Sequence, residues 1–123
     1  MSVDYRVYVR ARDSYLSNAE RLASRGEIRK ASELLWGAVA QSIKAVAARR
    51  GHRIESHRQL LTYARELARE TGDQELYKQL LLARILHENF YDETLDPTDF
   101  EIIAREAYRL IAKLDRILKS LEH

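Results

Sequence analysis

The chain has 123 residues, one domain's worth, and at this length about two thirds of the unfolded surface can be buried in a core. Its 21 Lys and Arg against 19 Asp and Glu give a formal net charge of +2, too small by itself to argue for a nucleic-acid partner. It has no cysteine, which excludes disulfides, thiolate metal sites and cysteine nucleophiles together. No apolar run approaches the roughly 18 residues of a membrane span, and Asp4, Arg6 and Arg10 stand where a signal peptide needs an apolar centre. A cytoplasmic protein without a membrane partner is expected. Leu121-Glu122-His123 reads as the remnant of an expression tag, which leaves one helical domain over 1–120.

Four glycines, one proline and no sustained period-two alternation predict helix throughout. The first helix is expected over about 4–24, with Tyr5, Tyr8, Tyr15, Ala19 and Leu22 on one stripe and Gly26 as a left-handed stop. The second, about 27–50, carries Ile28, Ala31, Leu35, Ala38, Val39, Ser42 and Val46 on one face. Trp36, Ala40, Ile43 and Ala47 lie on the next, which predicts a central helix buried on two sides. Ser56 to Gln59 fits a capping box opening the third helix, which carries Leu60, Leu61, Ala64, Leu67 and Ala68 as far as Gly72. The fourth starts near Asp73 and places Leu76, Leu80, Ala83 and His87 on one stripe. Asp96 and Pro97 open the fifth, whose Ile103, Ala107, Leu110, Leu114 and Ile117 keep a near-heptad seam. Short, glycine-stopped connections imply antiparallel neighbours, hence an all-α, antiparallel up-and-down bundle of about five helices.

Charge is unevenly placed. Lys44, Arg49, Arg50, Arg53 and Arg58, with His52 and His57, form a basic node between 44 and 58 against the single acid Glu55. From Glu88 to Glu101 there are six acids and no base. Helix-terminal charges that complement helix dipoles account for much of this; a polyanion held at the basic node, or pairing of the two patches across subunits, is the sharper alternative.

The run His87-Glu88-Asn89-Phe90-Tyr91-Asp92-Glu93 ends an apolar helix with polar groups that packing alone does not require. Arg84 and His87, at i and i+3, can reach one patch; His87 is the candidate proton acceptor and Arg84 the candidate partner for a phosphate. The candidate catalytic residues are therefore Arg84 and His87, and the candidate binding residues Lys44, Arg50, His57, Arg58, Glu88, Asn89 and Tyr91. Beside this stands a structural reading: a helix-end histidine bonded to a neighbouring carbonyl or carboxylate, an Asn at a cap, a Tyr with a wet hydroxyl and Trp36 in the core. No 34-residue repeat is present, since Gly26 maps to Leu60 and Ala31 to Arg65. No Glu lies three residues before His52, His57 or His87, and Tyr91 occupies the place of the second His of a zincin helix, so no metal and no cofactor is expected.

Three stretches carry a resemblance: Ala31-Ser32-Glu33-Leu34-Leu35-Trp36-Gly37-Ala38 with Lys44-Ala45-Val46-Ala47, then Gly51-His52 to Ser56-His57-Arg58, then His87-Glu88-Asn89-Phe90-Tyr91. Together they resemble the archaeal PaREP family, which is grouped with the HEPN superfamily of all-α bundles. That superfamily's members often dimerise and include RNA-cleaving toxins paired with nucleotidyltransferase-like antitoxins. The resemblance implies a homodimer, an RNA connection and a nucleotidyltransferase-like protein partner. The superfamily's nuclease motif is an Arg, about four to six residues, then a His. Arg84 precedes His87 by only two intervening residues, and the positions five to seven before His87 are Leu82, Leu81 and Leu80. A formal match at Arg50 and His57 straddles a glycine-bearing loop, and with so many arginines it is expected by chance. The expectation is an RNA-associated or toxin–antitoxin-like module in which ribonuclease chemistry lacks a second histidine. A non-enzymatic dimeric protein-interaction scaffold is the alternative.

Overall fold

The computed structural model describes residues 4–93 and 95–122, and these form five helices: α1 (Tyr5–Ser24), α2 (Ile28–Arg49), α3 (His57–Thr71), α4 (Gln74–Asp92) and α5 (Pro97–Ser120). Each begins and ends where local chemistry dictates. The Asp4, Ser56, Asp73 and Asp96 side chains accept backbone N–H groups of the first turns of α1, α3, α4 and α5, satisfying donors that a helix start leaves bare. Pro97 sits at the start of α5, where its missing N–H costs nothing. The capping box of α3 closes with a small change: the Gln59 N–H donates to Ser56 Oγ at 3.1 Å, while Gln59 Oε1 accepts the N–H of Glu55 at 2.6 Å.

α2 is the hub. It packs against all four other helices and buries residues around almost its whole circumference, among them Ala31, Leu35, Trp36, Val39, Ile43 and Val46, as its two apolar faces predicted. α1 packs on α2 alone along the backbone. Its tyrosines are half-buried, and Ala19 is the one fully buried residue of that helix. The α5 seam holds through Ile103, Ala107, Leu110 and Leu114, with Leu118 rather than Ile117 completing it.

Pairs of contacting residues fix the helix directions. Arg49 near the end of α2 lies over Tyr5 at the start of α1, and Glu33 and Ser32 near the start of α2 reach His87 and Asn89 near the end of α4. Arg65 of α3 meets Tyr77 of α4, and Lys113 of α5 meets Asp73 before α4. The pairs α1/α2, α2/α4, α3/α4 and α4/α5 are therefore antiparallel. The step from α2 to α3 departs from simple alternation. The segment Arg50–Ser56 runs back along α2, buries Ile54 and delivers His57 onto Trp36, with ring centroids 6.1 Å apart. Further along both helices, Arg50 still reaches Glu70, at 2.7 Å. α3 thus runs in the same sense as α2, and that return strap positions the site described next. Among the described residues no helix is long and apolar enough to cross a membrane.

Candidate functional site

His87 lies on the last two turns of α4, half-buried, where the apolar stripe of that helix meets α2. Its Nδ1–H donates to Glu33 Oε2 at 2.8 Å, so the carboxylate fixes the ring's orientation and leaves Nε2 as the ring nitrogen not engaged by Glu33. His57, delivered by the strap, stacks on His87 with ring centroids 5.6 Å apart and planes 29° apart. Trp36 lies against both imidazoles, nearly parallel to His57 and tilted to His87. Tyr91 meets His87 edge-on at 5.4 Å, and it is 68% exposed. Four aromatic rings from three helices therefore form one stack, with a carboxylate at its base.

A cleft of about 360 Å³ opens beside the stack. Its floor is the α2 face that carries Glu33, Gly37, Ala40 and Lys44; its walls are Tyr15 of α1 and Ser56, His57 and Leu60 of the strap and α3. The middle of the floor is made of the small residues Gly37 and Ala40. Gly37 is a helix-interior glycine, which costs about 1 kcal/mol of helix propensity relative to alanine. A Cβ there would stand 3.0 Å from Tyr15 Cδ2, so the missing side chain lets the Tyr15 ring lie directly on the α2 backbone. Lys44, half-buried at one end of the floor, enters no ion pair or hydrogen bond recorded among the described residues.

The other candidate residues divide sharply. Arg84 is exposed and takes no part in the ring stack or the cleft. Arg50 is committed elsewhere: its guanidinium donates to Glu70 Oε2 at 2.7 Å and to the Tyr63 hydroxyl at 3.2 Å. Burial alone would lower the Arg50 pKa, but the bond to Glu70 leaves it raised; burial raises that of Tyr63 against the opposing charge of Arg50. The formal Arg50–His57 spacing is thus not a spatial pair. Arg58 and Glu88 are exposed outside the cleft lining. Asn89, counted above as a binding or capping residue, is 1% exposed. Its Nδ2 donates to Ser32 Oγ at 3.1 Å and its Oδ1 accepts the Leu95 N–H at 2.7 Å, so it joins α4 to α2 and to the α4–α5 connection. Among the described residues no group of three or more His, Asp or Glu side chains is arranged to hold a metal ion.

Sequence reasoning missed Glu33, Gly37 and Tyr15. One signal was available: 33, 37, 40 and 44 share a helix face at spacings of four, three and four, and a carboxylate and an ammonium at its two ends are out of place on the most buried helix.

These features define a five-helix bundle with a histidine–carboxylate cluster at the edge of a cleft. The chain belongs to the archaeal PaREP1/PaREP8 family, whose model matches residues 7–111. It is also similar in fold to a crystal structure of a Sulfolobus solfataricus protein, with a TM-score of 0.77 at 19% identity, covering 88% of this chain and 96% of that one. No curated protein matches the chain.

Proposed function

We propose that this chain is an RNA-associated helical module of the HEPN type, with the cleft between α1, α2 and α3 as its RNA contact and the Glu33–His87 pair as its proton-transfer group. The observation that carries this reading is the 2.8 Å bond from His87 Nδ1 to Glu33. A carboxylate-oriented imidazole beside a cleft lined by Lys44, which enters no ion pair among the described residues, combines proton transfer with affinity for a phosphodiester. Lys44 at the cleft and the exposed Arg58 nearby in sequence supply the positive charge. A nucleotidyltransferase-like protein is the partner that a toxin–antitoxin-like role would require.

Labelled single-stranded RNA at low salt tests the reading. Binding is expected to weaken steeply as salt rises, because each neutralised phosphate releases condensed counterions, and to weaken further in Lys44→Gln. Absence of binding at low salt would remove the proposal.

A second reading, a non-enzymatic dimeric scaffold, is favoured by one observation. Val7, Leu81, Leu82, Ile102 and Tyr108 are large apolar side chains left exposed on α1, α4 and α5, the residue types that contacts between subunits recruit. Sedimentation at micromolar concentration separates the two readings when combined with the RNA titration: a dimer that ignores RNA is a scaffold.

A further inference from the structure

We propose that the strap and the first half of α3 are a hinged wall of the cleft, which swings off α2 as one body and uncovers Trp36 and the small-residue floor. The proposal rests on how unequally this part of the chain is fastened, and it holds whether or not the cleft takes RNA.

The moving part is tied to itself. The Glu55 N–H donates to Gln59 Oε1 at 2.6 Å, the Gln59 N–H donates to Ser56 Oγ at 3.1 Å, and Arg53 pairs with Glu55 at 3.3 Å. Strap and helix start therefore keep their mutual geometry when either moves. Before them stands Gly51, with φ +81° and open space where a Cβ would be, a residue free to absorb the change in φ and ψ that a hinge requires. The His52 N–H bonds back to the Ala47 carbonyl at 2.8 Å and closes α2. From Arg53 to Ser56, no backbone hydrogen bond to α2 is recorded among the described residues.

The fastenings lie further along. Among the described residues, the side-chain hydrogen bonds that tie 53–71 to the rest of the molecule involve Tyr63, Arg65 and Glu70. Arg50 donates to the Tyr63 hydroxyl and to Glu70, and Arg65 donates to the Tyr77 hydroxyl at 3.0 Å. All three residues belong to the second half of α3. The strap and the first half are held by packing: Ile54 and Leu60 are buried, and the His57 ring lies on Trp36 and His87. The whole of α3 buries two leucines and two alanines. It packs on α4 and less extensively on α2, and its backbone meets neither α1 nor α5. A segment with few buried apolar contacts and no polar fastening is the one that opens at least cost, and the pivot falls where Arg50 and Arg65 grip.

The motion has a consequence for the cleft. Ser56, His57 and Leu60 are its α3 wall, and His57 covers Trp36, which is 4% exposed. Swinging the wall out turns a cleft of about 360 Å³ into an open face of α2 and takes from His87 its stacked neighbour.

The test is native-state hydrogen–deuterium exchange of the full chain. Amides of 54–62 are expected to exchange through an opening about 10-fold or more populated than the one that frees 63–71, and both ahead of α2 and α5. His57→Ala removes the stack and should speed exchange of 54–62 alone; Arg50→Ala should bring 63–71 up towards the rate of 54–62. Thiol labelling gives a second measurement, because the chain has no cysteine. Leu60 and Leu110 are both buried, and the thiol introduced by Leu60→Cys should react about 10-fold or more faster than that introduced by Leu110→Cys. Exchange of 54–62 only together with α2 and α5, or equal labelling of the two thiols, would overturn the hinge. Exchange of both halves of α3 at one rate in the native chain would overturn the pivot.

Discussion

Asn89 and Ser32 meet in the interior through a 3.1 Å hydrogen bond from the amide Nδ2 to the hydroxyl oxygen, and the Ser32 hydroxyl in turn donates a hydrogen bond to the Ile28 carbonyl at 2.7 Å. Both residues are buried, and the Leu95 N–H closes the other side of the amide. The polar end of α4 is therefore fastened to the first turns of α2, which sets the height at which His87 faces Glu33. Asn89→Ala strands the Leu95 N–H and leaves a void, so a loss of about 1–3 kcal/mol is expected. Chemical denaturation measures it, and a change within a few tenths of a kcal/mol would mean the network carries little.

Gly37 and Tyr15 should be energetically coupled. Gly37→Ala gains helix propensity of about 1 kcal/mol, but the new methyl meets the Tyr15 ring. The substitution is expected to stabilise less than its propensity in the native background and to recover the full gain in Tyr15→Ala. A double-mutant cycle reads the difference; additive effects would show that the ring moves aside freely.

Acid should destabilise the bundle through three carboxylates. The bond from Lys113 holds Asp73 below the usual carboxylate range, and the Gln79 amide does the same for Glu106. Burial pushes Asp115 up, but Lys119 and Arg12 outweigh it and leave it lowered. Each folded-state value is depressed, so each contributes stability that is present above the unfolded value, about 4, and lost as the pH falls through the folded one. Melting temperature should therefore fall progressively below about pH 4, and Asp73→Asn should flatten that fall. An equally steep fall in Asp73→Asn would refute the assignment.

Trp36 is the only tryptophan and lies against both imidazoles, so its fluorescence reports on them. The emission of the native protein should therefore change in His57→Leu and in His87→Leu, because each substitution replaces a polar ring packed on the indole. An emission spectrum untouched by either substitution would place the rings elsewhere.

The helices were legible in the sequence because their determinants are local. Ser56, Asp73 and Asp96 act within one turn, Gly26 and Gly72 adopt the left-handed φ that stops a helix, and the 3.6-residue period marks the buried faces of α2 and α5. His87 was legible as a polar interruption of an apolar stripe. The inward bond of Asn89 was not legible, because its buried amide meets Ser32 on a helix 57 residues away in the chain.

Sequence by itself determined the all-α class and the five elements, and it singled out His87 as a candidate. Tertiary structure decided the company His87 keeps. The strap from Arg50 to Ser56 has no period to read; burial of Ile54 and stacking of His57 on Trp36 set its return path. That path carries a histidine 30 positions away onto His87, while Glu33 arrives from a third helix, 54 positions away. Spacing within one helix cannot encode such a meeting, because it depends on which faces of three helices bury against one another.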